Sequence, residues 1–459
     1  MHRRTPIASR AAAIAALVVA FVFASAGPAH AWSNHALCTW PALAPLPEVA
    51  QAAPVAAERL EDFLAAEAGA LVRVLEDEEQ WSRANVPTYP PRPDVLAFRA
   101  EGADPPELRR RFLAALRINP ESRLTLFVQL KPGESAAGRP TLPDTQVTTL
   151  KRSDTTRSNT FLALRPGEPV AVADVLAAAS DEPDHGLDVG LFEDNGTAYG
   201  RQYGFGKQPF GYNPQIEFSS QGPFHLGFFH ESWIVYKAAP FLLRTWPEYR
   251  IHLYTALARH ALRTGHPYWG WRFAGWALHY VQDLAQPYHA RVLPGVGVPT
   301  MLWINALDLA GLHTRKDHAV ALVTNRHLAL ENYQLHRVRS AWLRHDDDDA
   351  ALRALRDTRR DAERTWSDAA PRTVVTAIAA AQADALDAAL EAALPARYIA
   401  DPAYVFGTTE PDVDLYRVVS RAGASEQAAM TAMLERLLGD MGRHSRAYVR
   451  AVAGSARQP

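Results

Sequence analysis

Apolar residues along most of this chain recur at helical spacing, and the stretches that break the rhythm divide it. Ala11 to Phe23 is an uninterrupted apolar run, too short to span a bilayer comfortably. Val55 to Leu75 is alanine-rich, with Leu60, Leu64, Leu71 and Leu75 at helical spacing and acids between them, which predicts a helix. Val86-Pro87-Thr88-Tyr89-Pro90-Pro91-Arg92-Pro93 cannot continue it. Beyond that break the pattern is mixed. Pro106 to Leu116 reads as a helix, whereas Leu124 to Leu130 and Thr160 to Leu164 have strand composition and are separated by Gly and Pro turns.

Past residue 180 long helical periods return. Pro247 to Arg263 opens with proline at the first helical position and closes at Gly265. The next helix starts near Pro267 and carries Trp269, Phe273, Trp276 and Tyr280 at helical spacing, an aromatic stripe read as core. Residues 342–366 alternate acids and arginines around Leu352 and Leu355, which reads as a solvated helix face. Amphipathic helices are expected at about 372–394 and 424–452. The fold class expected is mainly α with a small α+β insertion. The predicted organisation is a signal peptide at 1–31, an N-terminal helical segment at 32–85, the insertion at 86–180 and a helical catalytic domain at 181–459.

The first 31 residues have the parts of an export signal: Arg3, Arg4 and Arg10, then the apolar run, then Ala29-His30-Ala31 as a small-x-small cleavage site. Cleavage between Ala31 and Trp32 predicts an exported protein, periplasmic or secreted, with no transmembrane segment. The formal charge of −2 falls to −5 once those three arginines leave, so a broad basic surface for duplex nucleic acid is not expected. Cys38 is the only cysteine, which rules out an internal disulfide and leaves metal ions as a possible brace.

Candidate chemistry centres on Gly275 to Ala290. His279 and Asp283 are four residues apart, a spacing that stacks an imidazole and a carboxylate on one helix face as a pair of metal ligands. Gln282, beside Asp283, points elsewhere on the helix. Pro287 interrupts the helix, so His289 is free of helical phase and able to serve a second metal. His327 and Glu331 repeat the i, i+4 spacing. No Gly-x-Ser-x-Gly motif or phosphate-cradling loop points to a covalent nucleophile.

The string Leu278-His279-Tyr280-x-x-Asp283-x-x-Gln286-Pro287-x-His289-Ala290 resembles the signature of the zinc-dependent bacterial phospholipase C family, whose superfamily includes single-strand-specific zinc nucleases and 3′-nucleotidases. Mature chains of that superfamily begin with a tryptophan whose α-amine and carbonyl bind zinc, and here Trp32-Ser33 follows the cleavage site. The resemblance covers mainly 32–35 and 184–331, and implies that fold and three zinc ions. His279 and Asp283 would bind the first, with Asp283 bridging to the third. His289, His327 and Glu331 would bind the second, and Trp32 with His35 would complete the third. A further histidine is implied some fifty residues before His279, where His225 and His230 both fall in range and His225 is preferred. An aspartate is implied ahead of it: Asp184, with Asp188 second. Asp184 would also orient or deprotonate the attacking water.

His35 stands closer to Trp32, and Asp184 farther from His225, than is usual in the family. The implied activity is hydrolysis of glycerophospholipids to diacylglycerol and a phosphorylated head group, with phospholipid, at a membrane surface, as partner. The alternatives are a zinc nuclease or 3′-nucleotidase, acting on nucleic acid or nucleotide, and an inactive metal-stabilised binding protein.

Overall fold

The computed structural model of the chain describes residues 34–151, 159–210, 217–363, 365–406 and 409–455, and within them it is mainly helical. The first helix, α1 (Ala36–Leu43), is buried along its whole length. A two-residue strand, β1 (Val55–Ala56), precedes α2 (Leu60–Asn85), which starts later and runs farther than the leucine spacing predicts. The extension uses buried acids instead of apolar residues. Ser82 donates to Glu78 at 3.0 Å, the Tyr89 hydroxyl donates to Glu79 at 2.7 Å, and His252 of a later helix pairs with Glu78. Paired in this way, the acids sit in the core at little cost.

Helix α3 (Pro105–Leu116) starts at Asp104, whose side chain accepts from the Glu107 amide at 2.9 Å. Three short strands follow: β2 (Phe127–Gln129), β3 (Thr141–Leu142) and β4 (Phe161–Ala163), an antiparallel sheet in the order β2-β4-β3. They are shorter than the apolar runs that predict them, and Leu124, at φ +49, leaves extended geometry before β2 begins. β5 (Pro169–Val170) returns to pair with β1. Helix α4 (Val172–Asp181) falls inside the 86–180 span by sequence, yet it packs on α1 and on the central helix of the molecule. The small sheet leans on α4 through β2.

That central helix belongs to a hairpin. After the short α5 (Trp233–Ala238), α6 (Pro247–Arg263) and α7 (Pro267–Leu284) run antiparallel through a turn at Gly265, where φ is +88. Every residue of α7 from Tyr268 to Leu284 is buried, including the whole aromatic stripe. Trp269 and Trp276 both meet Phe273 at a ring separation of 5.2 Å. Gly275 lets α4 come close, since a Cβ there would lie 2.4 Å from the Ala179 methyl. Helix α7 stops at Leu284, and Pro287 opens the one-turn α8 (Pro287–Ala290), capped by the Gln286 side chain, which accepts from the Tyr288 amide at 3.1 Å.

The longer helices that follow are α9 (Val298–Leu309), α10 (Thr314–Leu343), α11 (Ala350–Arg356), α12 (Thr376–Ala393, entered through a π-turn at Pro371–Val375) and α13 (Ala424–Ser455). The single solvated helix expected over 342–366 is instead a break, α11 and an irregular return. Arg446 on α13 causes the difference: its buried guanidinium donates to the carbonyls of Leu355 and Asp357, both at 2.6 Å, and pairs with Asp361 at 2.7 Å. The same group reaches Ala42 O at 3.0 Å and so closes the C-terminus of α1. Pro371–Ala393 is long and apolar enough to cross a membrane by length and composition, although no such segment was expected after the N-terminal run. It packs on α8 and α13.

Candidate metal centre

Asp283 sits one turn after His279 on α7, and the fold brings three other segments to that pair. α4 ends in Ser180 and Asp181 and continues through a 3₁₀ turn that carries Asp184. The one-turn helix Gly222–His225 delivers His225, and the start of the chain delivers His35. Asn34 is held in a left-handed conformation (φ +62), a conformation asparagine tolerates better than most residues. The insertion fixes it there: Gln129 of β2 donates to its side chain at 3.0 Å, and Asn34 in turn donates to Asn159 at 2.7 Å. His35 therefore enters the interior from a clamped start.

Three groups of buried side chains can each hold a metal ion, their ligand atoms lying within 4.8 Å of one another. They are His35, His279 and Asp283; Asp184, His225 and His279; and His289, His327 and Glu331. Two ligands of a tetrahedral zinc are about 3.4 Å apart, given a metal–nitrogen bond of about 2.1 Å. The observed separations lie just below that value: 3.3 Å for His35 Nε2 to Asp283 Oδ1, 3.3 Å for His279 Nε2 to Asp283 Oδ2, and 3.1 Å for both His279 Nε2 to His225 Nδ1 and His289 Nε2 to His327 Nε2.

The hydrogen bonds behind these atoms decide what they present. His279 donates Nδ1–H to the Ser180 carbonyl at 2.8 Å, so in the neutral ring Nε2 offers a lone pair to Asp283, His225 and Asp184. His289 likewise donates Nδ1–H to the His225 carbonyl at 2.8 Å, leaving Nε2 toward His327. For His35 the partner is Gln282, whose Oε1 lies 2.8 Å from Nδ1. The amide orientation follows from its other end. Ser445 Oγ gives its proton to the Met441 carbonyl at 2.7 Å, so it accepts from Gln282 Nε2 at 3.2 Å, and Thr39 Oγ1 accepts from the same nitrogen at 3.0 Å. His35 Nε2 and Asp283 Oδ1 are then buried, face each other, and have no hydrogen-bond partner. Lone pairs and carboxylates converging on one water-poor point call for a cation.

The charge state of the cluster carries the same demand. Burial opposes ionisation of Asp283, but the imidazoles that face it, His279 first and then His225 and His35, hold its carboxyl well below the usual carboxylate range. Burial pushes His225 down and the bonds to Asp188 and Asp283 push it up further, to about 10. His35 is raised in the same way, burial being outweighed by Asp283 and Asp184. Burial lowers His279 and His289. Protons on His35 and His225 thus take places a divalent ion would fill, and uptake of such an ion would displace them.

Each sequence candidate other than Trp32 has a definite place. Asp184 accepts from the Gln221 amide at 2.8 Å and lies in the group with His225 and His279. Asp188 is in none of the groups: it pairs with Arg250 at 2.6 Å, accepts from the Tyr280 hydroxyl at 2.6 Å and faces His225 Nε2 at 3.4 Å, which turns the other ring nitrogen of His225 toward Asp283. His230 is exposed and apart from the groups, 3.0 Å from the Arg372 carbonyl and 2.9 Å from Thr376 Oγ1. Trp32 lies outside the described residues. Two glutamines were overlooked as functional residues. Gln282, expected to point away, orients His35; Gln286 caps α8 and also donates to Glu331 at 3.3 Å. Their signal was available: two amides in a segment that is largely apolar need buried partners.

Comparison of the chain with protein-family models, with curated proteins and with solved structures finds no match.

Proposed function

We propose that this chain is an exported zinc-dependent phosphodiesterase of phospholipase C type, with that family's helical fold and three zinc ions. The observation that carries the reading is Asp283: one buried carboxylate with Oδ1 toward His35 and Oδ2 toward His225 and His279, the arrangement of a ligand shared between two cations. The separate group of His289, His327 and Glu331 would hold a further ion, and the α-amine of Trp32 would complete the set. When bound, such ions neutralise the charge of a phosphodiester and make a water acidic enough to attack at neutral pH.

The chain's own residues do the rest. Asp184 is held by Gln221 at the edge of the His35 and His279 pair, where its carboxylate orients a water and takes its proton. Asp188, Tyr280 and Arg250 hold the His225 ring, and Gln286 holds Glu331. A cavity beginning one helical turn from His327 is walled by aliphatic residues such as Val235, Leu293 and Val323, with Phe241 the single aromatic ring, which favours a lipid over a nucleobase needing an aromatic slot.

The depth of the ligands, Asp184 at 4% and His327 at 6% exposure, favours one second reading: a metal-stabilised binding protein without turnover. One purified, zinc-loaded sample separates the possibilities. Diacylglycerol release from phosphatidylcholine is expected. Hydrolysis of single-stranded RNA or 3′-AMP without lipid cleavage would make it a nuclease, and bound zinc with neither activity would make it a binding protein.

A further inference from the structure

Helix α9 does not fit a protein surface made only for water. Its sequence, Val-Pro-Thr-Met-Leu-Trp-Ile-Asn-Ala-Leu-Asp-Leu, is apolar nearly all round, yet only Met301 and Asp308 are buried. A helix of that composition is ordinarily inside a protein or against lipid. Trp303 on α9 is 63% exposed and Trp233 on α5 is 70% exposed, and Leu243, Leu309 and Leu312 stand open on the same stretch of structure. Most of the large exposed apolar side chains among the described residues are therefore gathered on the elements around this one helix.

Behind them lies the apolar cavity between α5, α9, the loop after α8 and the first turns of α10. Its walls lead to the metal centre. Ala319 and Val323 line it, and His327 and Glu331 follow at the same four-residue interval on α10, so the apolar lining passes into the ligand row at about 6 Å per step. Val292 and Leu293, in the loop three and four residues after His289, also line the cavity. Lys316 is buried and neutralised by Asp308 at 2.8 Å, which leaves the exposed Lys237 and Arg315 against Asp317 on these elements, although the chain as a whole carries a net −2.

We propose that this face docks on an anionic lipid bilayer, with Trp233 and Trp303 at head-group level and the cavity behind them admitting one acyl chain. Interfacial tryptophans beside basic residues are the composition that such a surface selects, and a twelve-residue helix is too short to span and so lies in the interface. The proposal deepens the phospholipase reading, and the cavity's approach to His327 rests on it. A second copy of the chain is the rival occupant, but it would leave the alignment of the apolar cavity with the ligand row on α10 without a use.

Sedimentation of the full chain with vesicles of equimolar phosphatidylglycerol and phosphatidylcholine tests this without needing turnover. Binding is expected for the native chain. Trp303→Ser with Leu309→Ser, both exposed positions, should weaken it about tenfold or more while leaving the melting temperature, zinc content and hydrolysis of a soluble chromogenic phosphodiester unchanged. No binding by the native chain, equal binding by the variant, or light scattering that shows a dimer dissolved by the variant would overturn the proposal. Vesicle binding without hydrolysis of either lipid or soluble diester would sustain the docking face and reject the enzymatic reading.

Discussion

Gln282→Leu should weaken metal binding although Gln282 offers no ligand atom to any group. The side chain is fully buried, and leucine nearly keeps its volume while removing all its polar contacts. Three hydrogen bonds go: one from His35 at 2.8 Å, one to Thr39 at 3.0 Å and one to Ser445 at 3.2 Å. At about 1 kcal/mol each, plus about 1–3 kcal/mol for a His35 N–H left unpaired in the interior, the metal-free protein should lose about 4–6 kcal/mol. The more telling effect is on the ion. With Nδ1 unheld, the His35 ring no longer presents Nε2 to Asp283, and loss of such an outer hydrogen bond costs about 10- to 100-fold in affinity, or about 1.4–2.7 kcal/mol. Competition against a fluorescent zinc chelator reads the affinity, and melts with and without zinc read the stabilisation, which should shrink by a similar amount. A variant that is destabilised but binds zinc as tightly as the native chain, with the same zinc-induced shift in melting temperature, would show Gln282 to be packing only.

Further outcomes follow from the same geometry. Asp283→Asn removes the charge facing His35, His225 and His279, and should reduce phosphodiester hydrolysis by on the order of a thousandfold with the fold retained by circular dichroism; Glu331→Gln should act in the same direction through the other group. Cys38 lies three residues after His35 on α1, fully buried, its thiol pushed up to about 12 by burial, so it should resist a thiol reagent in the native protein and label at least about tenfold faster after chelation loosens the N-terminal segment. Cytoplasmic protein retaining Met before Trp32 should bind less metal than exported protein, because the extra residue turns the α-amine into an amide; equal metal counts would remove Trp32 from the site.

What could be read from the residues alone follows the range of the interactions. His279 with Asp283 and His327 with Glu331 were legible because helical spacing makes each pair local, and the buried α7 stripe was legible for the same reason. That Gln282 needs a buried partner was legible too, but the partner was not: His35 is 247 positions away, and nothing near Gln282 in sequence discloses it. The end of α2 and the course of 342–366 were misread for a related cause: Glu78 is buried against His252, and the buried Arg446 of a distant helix draws in the Leu355 and Asp357 carbonyls and Asp361. The choice between His225 and His230 likewise depended on which one the Gly222–His225 turn aims at α7.

Diffraction from crystals of the exported protein, with anomalous difference maps above and below the zinc edge, tests the central claim most directly. The account predicts zinc-specific peaks between His35, Asp283 and His279, between Asp184, His225 and His279, and between His289, His327 and Glu331. Maps without zinc-specific density at these points, from protein that still hydrolyses phosphatidylcholine, would contradict it.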